Sequence, residues 1–130
     1  MRYLYLLALS CCLFISACQP PEKTPEAVVK EYLTAIDNFD TAAAAALMTD
    51  SEAARQMLEN MKLYEGKMSP EAKTEYRNKK RNYTFGKAVI SGNTSSMLVT
   101  NKDAEFTIRI TFNLKQQNGE WKVDNFSADY

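Results

Sequence analysis

The chain contains no histidine among its 130 residues. That absence removes Ser-His-Asp and Cys-His catalytic arrangements, and every metal site that relies on imidazole. It also removes the side chain that titrates most readily near neutral pH. Cysteine is scarce: Cys11 and Cys12 are adjacent, and Cys18 is the third and last. An excess of either charge is missing too. Lys and Arg total 16, Asp and Glu total 16, and the formal net charge is zero. A balanced chain of this kind gives no basis for binding nucleic acid or another polyanion. Finally, no apolar run reaches the roughly 20 residues that a membrane-spanning helix needs.

What is present begins at the N-terminus. Met1-Arg2 carries one positive charge, and Tyr3 to Ile15 is apolar apart from Ser10. A charged start, a short apolar stretch and small residues at its end form a secretory signal pattern. Ile15, Ser16, Ala17 and Cys18 then resemble the lipobox of bacterial lipoproteins: an aliphatic residue, two small residues and cysteine. The resemblance implies diacylglyceryl transfer to the Cys18 sulfur and cleavage before Cys18, with acylation of the new amine. A plain secreted protein or a short membrane anchor are the alternatives. Cleavage would remove Cys11 and Cys12. The mature chain then has one cysteine, no intramolecular disulfide and no cysteine-based zinc site. No cofactor is expected.

Each buried methylene contributes about 0.8 kcal/mol, and stable anchoring takes about two chains. An acylated Cys18 is therefore expected to hold the protein at a membrane. Gln19-Pro20-Pro21-Glu22-Lys23 reads as an extended tether, because proline favours extended chain. In enteric lipoproteins an aspartate after the cysteine retains the protein at the inner membrane. Gln19 occupies that position here, so the resemblance implies an outer membrane, facing the periplasm, where the host has one. The expected organisation is a signal peptide over 1–17, anchor and tether over 18–23, and one domain over 24–130.

The domain splits into a helical half and a strand half. Thr24-Pro25-Glu26 supplies a cap, a first-turn proline and a first-turn acid. Val28, Tyr32, Ala35, Ile36 and Phe39 follow on one helical face. Asn38-Phe39-Asp40 breaks that helix, and Asp40 caps a short alanine-rich one over 41–48. Thr49-Asp50-Ser51-Glu52 caps a third helix that stops at Gly66. Ser69-Pro70-Glu71 opens a fourth, peripheral helix to about residue 80. From Tyr83 the period changes to two. Strands are expected over 83–91, 95–100, 105–114 and 120–127. In the third, Phe106, Ile108, Ile110, Phe112 and Leu114 alternate with Glu105, Thr107, Arg109, Thr111 and Asn113. Asn118-Gly119 marks a hairpin. Helices followed by an antiparallel meander with one apolar face imply an α+β domain with the helices on one side of the sheet.

"TPEAVVKEYLTAIDNFDTAAAAALM" and "NGEWKVDNF" resemble the first helices and last hairpin of nuclear transport factor 2-like domains. With the lipobox, the chain is similar to envelope lipoproteins of the lumazine-binding-like, cystatin-like branch. The resemblance spans about residues 24 to 127. It implies a bent sheet wrapped around the first helix as a cone. Some members use the cone as a catalytic pocket, and others bind ligands or dimerise.

Three functional readings follow. An enzyme of the ketosteroid isomerase kind needs an acid and a hydroxyl donor, and Asp37, Tyr32 and Tyr64 are the side chains available. No catalytic set is singled out by the sequence. A binding module would line a pocket for a small apolar ligand with Val28, Tyr32, Ile36, Phe39, Phe106, Ile108, Ile110 and Phe112. The same residues would otherwise fill the core. A surface-binding lipoprotein would use Arg77, Lys79, Lys80 and Arg81 against anionic lipid or an acidic envelope protein. The same cations also suit a helix end. A homodimer is compatible with each reading. Binding or interaction, rather than catalysis, is the expectation. The anchor has a direct test: Cys18→Ala should abolish metabolic acyl labelling and leave the precursor uncleaved. Normal processing of that variant would remove the lipobox reading.

Overall fold

The computed structural model describes residues 22–103 and 105–130. The signal pattern, the lipobox and Cys18 lie outside the described residues. Among the described residues four helices precede five strands: α1 (Pro25–Asp37), α2 (Thr41–Ala46), α3 (Glu52–Gly66), α4 (Pro70–Asn78), β1 (Tyr83–Phe85), β2 (Val89–Ser91), β3 (Thr94–Lys102), β4 (Thr107–Gln117) and β5 (Glu120–Asp129). The caps read from the sequence are in place. Thr24 Oγ1 accepts from the Ala27 amide, Asp40 from Ala43, Ser51 from Ala54 and Ser69 from Ala72. Each satisfies an amide that a helix start leaves without an intrahelical partner.

The end of α1 is sharp. The Phe39 amide donates to the Ile36 carbonyl at 3.0 Å, and the Asp40 amide donates to Ala35 at 2.8 Å. This is the paired closure of a Schellman motif. It requires a left-handed residue, and Phe39 supplies it at φ 56°. A side chain there costs about 1–2 kcal/mol. The Phe39 ring recovers contact by lying 4.8 Å from the Tyr76 ring of α4.

The sheet is antiparallel, in the order β1-β3-β4-β5, with β2 also paired to β3. The helices lie on one face: α1 packs on β3 and β5, and α3 on β5. The core between them holds Val28, Val29, Tyr32 and Leu33 from α1, Met97 and Val99 from β3, Phe112 and Leu114 from β4, and Trp121 and Val123 from β5. Tyr32, Phe112 and Phe126 make a ring cluster. Tyr32 meets Phe112 edge-on at 5.9 Å, and Phe112 meets Phe126 at 5.5 Å. By contrast, α4 buries none of its residues.

Several boundaries differ from the sequence expectation, and three of the differences have a clear local cause. The alanine helix ends at Ala46 rather than 48, because the chain peels away to pair with β5. The Thr49 amide donates to Val123 at 2.9 Å, and the Val123 amide to Leu47 at 2.8 Å. The strand expected over 83–91 is two strands. Phe85 pairs with Val99 and Val89 with Ser96, so the chain carries one extra residue between them. That bulge turns Val89 out to solvent. The Glu26 carboxylate from α1 accepts the freed Ala88 amide at 3.0 Å. Finally, β4 starts at Thr107, leaving Phe106 outside it and half-exposed. The register itself is as the alternation required: Phe112 and Leu114 are buried, while Thr107 and Arg109 are exposed.

A second bulge lies in β5. Asn113 pairs with Asn125 but Leu114 pairs with Val123, so Asp124 is the extra residue. Asp124 is buried and accepts from the Thr49 hydroxyl at 2.8 Å, with the Lys115 ammonium 3.5 Å away. Burial pushes this carboxyl up, but the hydroxyls of Thr49 and Ser51 and the charge of Lys115 outweigh it. The net shift is downward.

Phe112→Ala should destabilise the domain by about 3–5 kcal/mol, read from the urea midpoint. Phe106→Ala should cost less than about 1 kcal/mol, as a surface change does. Equal costs would contradict the observed start of β4.

Candidate functional site

At the end of α1 distant from Pro25, the sheet and helices leave a cavity of about 430 Å³. Such a volume lies within the range of small-molecule sites. Its apolar wall comes from Tyr32, Leu33 and Ile36 on α1, Ile108, Ile110 and Phe112 on β4, and Phe126 on β5. Its polar groups are Asp37 at the last turn of α1, Arg81 just after α4, and Tyr83 and Asn101 on paired strands. A smaller hollow of about 60 Å³ shares Ile36, Tyr64 and Tyr76 with it.

The polar groups form one network. The Tyr83 hydroxyl donates to Asp37, 2.9 Å from Oδ2 and 3.2 Å from Oδ1. Arg81 Nε stands 3.5 Å from Asp37 Oδ1. Arg81 Nη1 donates to the carbonyls of Tyr76 and Lys79, closing the end of α4. The guanidinium lies 4.4 Å from the Tyr76 ring centre. Its other nitrogen, Nη2, is buried without a hydrogen-bond partner.

Burial sets the electrostatics. It pushes the Asp37 carboxyl up, and the Tyr83 hydrogen bond and the Arg81 charge only partly oppose it. The Arg81 contact is long for an ion pair of this kind, which explains why desolvation prevails. Tyr83 is also held well above its usual value, first by burial and then by the neighbouring carboxylate. Tyr32 is raised by burial. At Arg81 burial acts downward, but the Tyr76 side chain and Asp37 hold the guanidinium above its ordinary value.

The expected pocket residues divide. Tyr32, Ile36, Ile108, Ile110 and Phe112 line the cavity. Val28 is buried in the core and is not on its wall. Phe39 faces the smaller hollow, because the left-handed turn aims it at α4. Phe106 stands outside, since the strand begins one residue later. Of the proposed acid and hydroxyl set, Asp37, Tyr32 and Tyr64 all border the cavity. The Tyr32 hydroxyl is directed at Met61 Sδ, 3.7 Å away, and Tyr64 is exposed.

The basic segment is not a patch of four. Arg77 lies over the Phe39 ring at 5.5 Å, and Lys79 pairs with Asp103 at 3.4 Å. Arg81 turns inward and its side chain is only 12% exposed. The helix ends at Asn78, so Arg81 reaches back beneath it to carbonyls that the helix end leaves open. Lys80 remains on the surface. Sequence reasoning missed Arg81 and Tyr83 as partners of Asp37. They lie more than 40 residues from it, and no local pattern signals that meeting.

A bent antiparallel sheet closed on one face by helices, with a cavity at the mouth, defines a cone-shaped α+β domain. Its architecture is the nuclear transport factor 2-like fold. A crystal structure of an NTF-2 like protein of unknown function from Silicibacter pomeroyi matches with a TM-score of 0.56 at 13% identity, over 79% of this chain and 89% of that one. An NTF2-like protein of unknown function from Shewanella baltica matches with a TM-score of 0.50 at 12% identity, over 79% and 89%. At such identities the likeness establishes the fold alone. No protein-family model matches the chain, and no relative is found among curated proteins. Among the described residues no helix is long and apolar enough to cross a membrane.

The raised Asp37 carboxyl has a thermodynamic consequence. The folded state holds this proton more tightly than the unfolded chain does. Its contribution to stability is therefore full below the unfolded carboxylate range and is lost as pH rises through the folded value. Asp37→Asn cannot titrate there. Wild type should lose stability relative to Asp37→Asn as pH rises above the ordinary carboxylate value of about 3.9. Urea unfolding of both proteins measures the difference. A difference that grows in favour of wild type would reverse the sign.

Proposed function

We propose that this chain is a lipid-anchored envelope protein whose domain binds a small apolar ligand in the cavity at the mouth of the cone. The observation that carries the binding reading is the cavity itself: about 430 Å³, walled by aromatic and aliphatic side chains, with Asp37, Arg81 and Tyr83 converging on one side. Mostly apolar walls with a few placed polar groups are the usual make-up of a ligand site. The signal pattern and Ile15-Ser16-Ala17-Cys18 support the anchor.

The two parts fit together geometrically. Gln116, late in β4, donates to Glu22 at 3.2 Å, so the chain from the anchor enters beside the β4–β5 hairpin. Even fully extended, the stretch from Cys18 to Glu22 reaches only about 14 Å. Asp37 closes the other end of α1, about 20 Å further on at 1.5 Å per residue. On this reading the tether and the cavity lie at opposite ends of α1.

Proton transfer is the second reading, favoured by the raised carboxyl of Asp37 beside the cavity. Against it, the Tyr83 hydroxyl is committed to Asp37 and is not free to polarise a substrate. Surface binding by the basic segment is left with Lys80 and the exposed parts of Arg77 and Lys79.

The neutral fluorophore N-phenyl-1-naphthylamine tests the binding reading. The full chain in nanodiscs should bind it at micromolar concentrations above an empty-nanodisc blank. Ile108→Trp, which fills the cavity, should weaken binding at least tenfold. No signal above the blank would defeat the proposal. Vesicles of anionic lipid offer the contrasting surface test.

A further inference from the structure

We infer that the cavity's ligand is an uncharged apolar molecule with one strong hydrogen-bond acceptor, a carbonyl oxygen, received by Nη2 of Arg81. This rests on the binding reading and adds the ligand's chemistry to it.

The first argument is donor bookkeeping. A guanidinium has five N–H donors. At Arg81, Nε faces Asp37 and Nη1 serves the carbonyls of Tyr76 and Lys79. The two donors of Nη2 are buried and have no acceptor. An unsatisfied buried donor is destabilising, more so on a charged group, and native proteins leave few of them. Arg81 borders the cavity, so an acceptor entering there supplies what the protein lacks.

The second argument is charge. The ionised groups around Arg81 are matched in pairs, Asp37 with Arg81 and Lys79 with Asp103. A ligand carboxylate would approach Asp37, and a ligand ammonium would approach Arg81. Either would be desolvated without an unmatched counter-charge. A neutral acceptor avoids both costs. The hydroxyl of Tyr83 already donates to Asp37, so within the Asp37–Arg81–Tyr83 network the guanidinium is the group with donors to spare.

The third argument is access. The Tyr76 ring covers the guanidinium from α4. Because α4 buries none of its residues, it is the wall least tied to the core. Nη2 itself has no open surface, so the ligand oxygen reaches it where the Tyr76 ring turns aside while Nη1 keeps the carbonyls of Tyr76 and Lys79.

Four probes on one ring system test the inference: naphthalene, 1-acetonaphthone, 1-naphthoate and 1-naphthylmethylamine. Each is titrated against the full chain in nanodiscs, with empty nanodiscs subtracted. The ketone should bind about tenfold more tightly than naphthalene, as one hydrogen bond to a charged donor provides. It should also exceed the acid and the amine. Arg81→Gln should remove most of the preference for the ketone. If that variant fails to fold, the infrared carbonyl stretch of bound 1-acetonaphthone, measured on wild type, replaces it. A shift to lower frequency supports the hydrogen bond, and an unshifted band overturns it. Equal binding of ketone and naphthalene overturns the inference while the binding reading stands. Tightest binding of the acid or the amine overturns it in favour of a charged ligand. If no probe binds, the binding reading falls as well.

Discussion

Tyr32 of α1, Phe112 of β4 and Phe126 of β5 meet as three rings on the concave face of the sheet, with Tyr32 and Phe112 edge to face. Tyr32 and Phe112 are almost wholly removed from water. Aromatic side chains dominate core energetics through the large area each buries, and edge-on geometry adds to it. This cluster sets how closely the sheet bends around α1. The helix cannot slide without breaking it, so the position of Asp37 at the helix end follows from it. The apolar cavity begins where the cluster stops filling the cone.

Two single-residue bulges adapt a regular meander to that curved shape. The one between β1 and β2 lets a short strand pair follow β3 past its bend, and Glu26 accepts the amide that the bulge frees. The one in β5 brings Asp124 into the interior, where Thr49 and Lys115 meet it. Both tie the sheet to the helical half through polar groups that would be costly if left unpaired. Asp124 and Asp37 show how environment separates a buried carboxyl from a half-buried one. The first is surrounded by hydroxyl donors and shifts down. The second is governed by desolvation and shifts up.

The region around α4 follows a different principle. It is held by stacking of Tyr76 on Phe39 and on Arg81, and by the guanidinium capping its last carbonyls. No side chain of α4 enters the core. The cavity is thus bounded on one side by rigid sheet and on the other by a lightly attached helix. Local stability is commonly unequal in this way around binding sites. A compressed run of cations therefore serves several tasks: one stacks on a ring, one pairs across to Asp103, and one stays inside.

The amino-acid sequence alone determined the elements, and with them the fold class. Threonine, serine and aspartate caps and first-turn prolines are local devices. The alternation from Ile108 to Leu114 fixes a strand's two faces over a few residues, and Asn118-Gly119 sets a hairpin. Each depends on neighbours in the chain, so each is legible there. Its limits were also local. Bulges depend on what the partner strand presents, which hid the break after Phe85 and the inward turn of Asp124. The candidate pocket was partly legible, because apolar faces of α1 and β4 are periodic. Which of those residues fill the core and which leave a cavity was not, because packing depends on the volumes of all facing side chains together. The union of Asp37, Arg81 and Tyr83 lay further still from view. Tertiary structure decided it by folding the end of α4 and the start of β1 back onto the end of α1, where burial and the mutual contacts of the three groups give them their altered chemistry.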